Sequence, residues 1–148
     1  MPAKFSCAAE RVLLTFWVGG LWTSGFIVAP MLFATLDDRA LAGTLAGHIF
    51  TVMNYAGLLC GSLLLLLYWI GRRAGGSMGW RPVVICLMLL IVLAGEFLLA
   101  PMLAQLRAEG LSGDARFGQL HGVASILFLM NCLLGLYLVV ASQSLRSR

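Results

Sequence analysis

The chain has 148 residues, of which 61% are hydrophobic and only 11% charged, with a mean hydropathy of +0.96 and a formal net charge of +4. A soluble domain carries about 25% charged residues and about 45–50% apolar ones, so this composition cannot cover a surface facing water. It leaves no room for a soluble catalytic module beside a membrane part, and ten scattered cations do not make a nucleic-acid groove.

Charged residues divide the sequence into four long stretches. No charge stands between Arg11 and Asp37, none between Arg39 and Arg72, only Glu96 between Arg81 and Arg107, and none between Arg116 and Arg146. About 20 apolar residues cross ~30 Å of hydrocarbon as a helix. The stretches therefore predict an all-α, four-helix transmembrane bundle filling 1–148 as one domain. Its spans fall near Val12–Phe33, Leu45–Ile70, Val83–Leu103 and Leu120–Ala141.

The first span follows Lys4 and Arg11, yet its apolar part exceeds the 7–15 residues of a signal-peptide core and no A-x-A site follows. It reads as a retained helix. Near its end, residues 26–32 are Phe-Ile-Val-Ala-Pro-Met-Leu. Pro30 removes a backbone donor there and predicts a kink.

On the second span a 3.6-residue period gathers Gly43, Gly47, Asn54, Gly57 and Gly61 on one narrow arc. Gly43/Gly47 and Gly57/Gly61 are both G-x-x-x-G pairs, which let helices approach closely in lipid. Beside that arc run His48, Thr51, Tyr55 and Ser62. The connection 71–82 holds Arg72, Arg73 and Arg81, is flanked by Trp69 and Trp80, and contains Ala74-Gly75-Gly76-Ser77, a hinge composition.

The third span carries Glu96. An acidic residue at the centre of a membrane helix costs ~2.5–3.5 kcal/mol, so this carboxyl is expected to face the bundle or a wet cavity. Either it serves packing through a hydrogen bond to Asn54, Asn131 or a histidine, or it is a functional acid. Arg107 shares its face roughly 16 Å along the helix, too far for a direct ion pair unless the helix bends at Pro101. Residues 97–103, Phe-Leu-Leu-Ala-Pro-Met-Leu, match 26–32 at five of seven positions with an offset of 71 and place Pro101 opposite Pro30. The fourth span opens with His121 and continues with Ser125, Phe128, Cys132 and Gly135, with Asn131 at the margin of that face. The two halves thus read as parallel hairpin repeats, about 12–70 and 83–141.

Seven of the ten basic residues lie at the N-terminus (Lys4, Arg11), in the 71–82 loop and in the tail (Arg146, Arg148). The positive-inside bias places those segments, and both termini, in the cytoplasm, as in a bacterial inner membrane. The four cysteines form no C-x-x-C pair and suggest neither disulfides nor a zinc knuckle. Candidate chemistry rests on Met31, Met102, His48 and His121, which the repeat gathers toward the outer face, and on Glu96. The histidines either cap loops and meet headgroups, or ligate a haem iron, or join the two thioethers in a soft site suited to Cu(I).

Three motifs resemble a known family of unknown function. They are Leu21-Trp22-x-x-Gly25-Phe26-x-x-Ala29-Pro30-x-Leu32-Phe33, Ala42-Gly43-x-x-Ala46-Gly47-x-Ile49-Phe50, and Leu120-His121-Gly122-x-x-Ser125. The family is that of bacterial four-helix membrane proteins and transmembrane protein 205-like proteins, itself distantly similar to copper-resistance protein D-like membrane proteins. The resemblance implies a four-helix inner-membrane fold with no assigned reaction and leans toward soft-metal or haem handling. By position it carries over His121-Gly122 and the Glu96…Pro101 arrangement, and not His48.

Three functional classes follow. One is a protein handling a soft metal ion or haem near the outer leaflet, with copper or haem as cofactor. The second is a membrane scaffold or accessory subunit that binds itself or another membrane protein through glycine-rich helix faces. The third is an enzyme, for which no nucleophile–base pair or paired carboxylates are visible.

Overall fold

In the computed structural model, residues 2–73 and 79–144 are described. The hinge sequence 74–77 and the tail residues Arg146 and Arg148 lie outside them, as does the side chain of Lys4. Helix α1 comprises Pro2–Thr23, a π-helical turn Ser24–Val28 and Ala29–Thr35. Helix α2 is Arg39–Arg73. Helix α3 comprises Arg81–Ala94, a second π turn Gly95–Leu99 and Ala100–Ala108. Helix α4 is Ala115–Ser144.

Local chemistry sets these limits. Asp38 Oδ1 accepts the backbone N–H groups of Ala40 and Leu41, at 2.8 and 3.1 Å, and caps α2. Asp114 Oδ1 does the same for α4 through the N–H of Arg116 at 2.7 Å. Helix α3 ends in a Schellman turn. Leu111 N–H bonds the Leu106 carbonyl, Gly110 N–H bonds that of Arg107, and Gly110 takes φ +72°. The spans consequently run Cys7–Thr35, Arg39–Arg73, Arg81–Ala108 and Ala115–Ala141, one to two turns beyond half of the ends the apolar runs predicted. The caps sit in short polar loops, and the helix continues until it meets them.

The kink expected at each proline takes the form of a π turn just before it. Pro30 and Pro101 lack an N–H, and their rings would crowd the carbonyl four residues back. The chain widens instead. Ala29 N–H bonds the Ser24 carbonyl and Ala100 N–H bonds that of Gly95, each five residues back. The two π turns stand 71 residues apart, the spacing of the proline motifs. Buried Ser24 also turns its hydroxyl onto the Gly20 carbonyl at 2.8 Å.

Each helix packs on two neighbours in the cyclic order α1–α2–α3–α4, so the bundle has one end with the 36–38 and 109–114 loops and one with the termini. Its core is made by Leu14, Trp17 and Leu21 of α1 with Leu64, Met88, Val92, Cys132 and Leu138 from the others. Outward faces carry exposed Val12, Leu59, Val83, Leu90, Ile126 and Val140. Four helices this long and apolar, with such faces turned out, suit a lipid surrounding. The polar arc beside the α2 glycines is only partly internal. His48, Tyr55 and Ser62 are exposed, because small residues one position round the helix take the packed face.

Candidate functional site

The informative surface is the glycine arc of α2, read from the termini end upward. A Cβ on Gly57 would lie 2.5 Å from Trp17 Nε1, and one on Gly61 would lie 2.6 Å from Leu89 Cδ2 and 3.0 Å from Trp17 Cη2. The indole, 0% exposed, therefore lies across both glycines. Gly135 of α4 receives Val18 in the same way, at 2.9 Å from the added Cβ. Two buried polar atoms, Trp17 Nε1 and Asn131 Oδ1, have no partner among the described residues.

One turn higher, Asn54 Nδ2 donates to Glu96 Oε2 at 2.9 Å. The carboxyl is half-buried and leaves from the π turn of α3, so the wide turn positions the only acid of the span against α2. This side-chain hydrogen bond ties α2 to α3 at the middle of the bundle.

Higher still, the second glycine pair has a different occupant. The Arg107 guanidinium lies beside it, with Nε 3.6 Å from a Cβ on Gly43 and Nη1 3.3 Å from one on Gly47. Its Cζ stands 5.5 Å from the Phe117 ring centroid, and Phe117 stacks on exposed His121 at 6.0 Å and 5°. At the termini end, Glu10 Oε1 accepts from Arg81 Nη1 at 2.6 Å and from the Tyr68 hydroxyl at 2.7 Å, joining α1, α2 and α3.

A separate groove of about 390 Å³ opens between α1 and α2, lined by Thr15, Phe16, Gly19, Gly20, Thr23 and Ser24 on one side and Ile49 and Met53 on the other. Gly20 meets Met53 closely, whereas nothing lies within 4 Å of a Cβ on Gly19.

Comparison with known protein families gives a match over most of the bundle. The domain of unknown function DUF4149 covers residues 12–112, about two thirds of the chain. The chain belongs to the DUF4149 family. No curated protein and no solved structure matches it. The DUF4149 region takes in α1, α2 and α3, hence both π turns, Glu96 and Arg107, and stops before His121.

Met31 is 63% exposed and Met102 39% exposed, His48 and His121 are exposed, and Glu96 is held by Asn54. No two of these five share a hydrogen bond or ring contact, and no three His, Cys, Asp or Glu side chains converge among the described residues. Sequence reasoning did not single out Trp17 as the occupant of Gly57/Gly61, nor Phe117 as the link between Arg107 and His121. Trp17 stands at the same offset of 71 from Met88, another large, fully buried side chain, and that correspondence was the available signal.

Proposed function

We propose that this DUF4149 protein is a membrane accessory subunit, whose helix α1 docks a transmembrane helix of another membrane protein. The observation that carries the reading is the exposed Thr15–Gly19–Thr23 ridge beside the α1–α2 groove. Small residues at i, i+4 and i+8 allow backbone approach in lipid, where helix association depends on packing. The glycines of α2 do not offer such a face, because Trp17 and Arg107 occupy them from within the chain. The partner-facing surface thus moves from α2 to α1.

The basic residues of the 71–82 loop and the termini support a bacterial inner membrane with both termini cytoplasmic. The common offset of 71 for the proline motifs and the π turns supports descent from a duplicated hairpin.

A photo-crosslinking residue placed at Gly19 or Thr23 in cells is expected to give one discrete protein adduct. The same residue at Val83 or Val140 is expected to give lipid adducts alone. Lipid adducts alone at all four positions would overturn the reading. A second reading, a soft-metal or haem site, draws on the exposed donors Met31, Met102, His48 and His121. Stoichiometric copper or a Soret band in the purified protein would favour it, and a blank in both would dismiss it.

A further inference from the structure

Arg107 is placed where a guanidinium needs an oxyanion, and no carboxylate among the described residues supplies one. It stands in the last turn of α3, half-buried, at the edge of the span Arg81–Ala108. A basic residue there ordinarily serves the free carbonyls of its own helix end. Here the Schellman turn has already taken those of Leu106 and Arg107, and Glu109 N–H takes that of Gln105. The guanidinium turns away to the Gly43/Gly47 groove, which side chains at those positions would narrow.

The acids of the same end do not pair with it. Asp38 and Asp114 are helix caps, and Glu109 Oε1 accepts from Gln105 Nε2 at 2.9 Å. Asp37 is exposed, and among the described residues the ion pair present is Arg81–Glu10, at the opposite end. An aromatic ring stands beside Arg107. Phe117 fixes one side of the guanidinium and carries stacked His121 one turn on. Arg39 sits one turn before Gly43 on the same face of α2.

We propose that Arg107, seated on Gly43 and Gly47 and steadied by Phe117, binds a phosphate oxyanion at the membrane surface. The planar fork of Arg matches two oxygens of such a group at once, and an ammonium does not. A phospholipid headgroup and a free phosphate share this chemistry. The site owes nothing to the α1 groove, so the two proposals stand or fall separately.

The full chain, purified in detergent, is to be titrated with phosphatidylglycerol, with diacylglycerol lacking phosphate, and with inorganic phosphate, with binding read by native mass spectrometry and thermal shift. Phosphatidylglycerol is expected to bind and diacylglycerol not. Arg107→Gln is expected to weaken binding by about tenfold or more, the scale of losing a hydrogen bond to a charged group. Arg107→Lys keeps the charge and should recover only part of the affinity, which keeps the test valid if the glutamine variant misfolds. Arg116→Gln, an exposed cation nearby, should bind as the native chain does. Arg107-dependent binding of inorganic phosphate alone would identify the soluble anion as the ligand. Equal phosphatidylglycerol binding by the native and Arg107 variants would overturn the proposal, as would failure of the native chain to bind lipid or phosphate.

Discussion

Two glycine pairs four residues apart lie on one arc of α2, and the bundle uses them in opposite ways. Gly57 and Gly61 admit an indole and a leucine, so that α1 and α3 close tightly over α2. Gly43 and Gly47 admit a guanidinium that reaches the rim and stays half exposed. Between the two pairs stands Asn54, bonded to Glu96. The same motif thus serves apolar packing below this contact and cation placement above it. What differs is the residue that the neighbouring helix presents: Trp17 is rigid and has no charge to solvate, whereas Arg107 is long, flexible and must keep its head near water. A G-x-x-x-G pair signals only that something large passes close by.

Substitutions can break this contrast, and they rank by how rigid the occupant is. Trp17→Ala empties the layer over Gly57 and Gly61 and is expected to cost about 3–5 kcal/mol, read as a lowered unfolding midpoint in detergent. Gly57→Ala places a methyl group 2.5 Å from Trp17 Nε1, inside a ring with nowhere to go. That overpacking should cost about 1–3 kcal/mol in the same assay. Glu96→Ala leaves the Asn54 amide without its acceptor, at about 1–3 kcal/mol, while Glu96→Gln keeps an acceptor and should lose less than half of that. An equal loss in both variants would show that the carboxylate charge matters, and not the hydrogen bond. Gly47→Ala meets only the movable end of Arg107 at 3.3 Å and should stay within about 0.5 kcal/mol of the native chain. If Gly47→Ala proved as costly as Gly57→Ala, the distinction between the two pairs would be lost.

The groove beside Gly19 extends the comparison to α1. There a glycine has no occupant among the described residues, and the exposed Thr15 and Thr23 flank it. Gly19→Leu is therefore expected to leave the unfolding midpoint unchanged while abolishing the crosslink from Thr23.

Hydropathy alone determined the four spans, because a backbone in hydrocarbon must satisfy its own hydrogen bonds and long apolar runs can do so only as helices. The prolines, too, could be read as interruptions from sequence, since a missing N–H is a property of the residue itself. Their resolution as π turns needed the fold, because the strain can be relieved by bending or by widening and neighbouring packing chooses. Glu96 was legible as an internal acid from its cost in lipid, but Asn54, Asn131 and the histidines were all available partners in the sequence. Only the rotation of α3 against α2 selected Asn54. The occupants of the glycine pairs were likewise invisible, because a glycine records an absence of side chain and carries no information about what fills it. Trp17 and Arg107 lie 40 and 60 residues from the glycines they cover, and that pairing is a property of helix register, which no local pattern encodes.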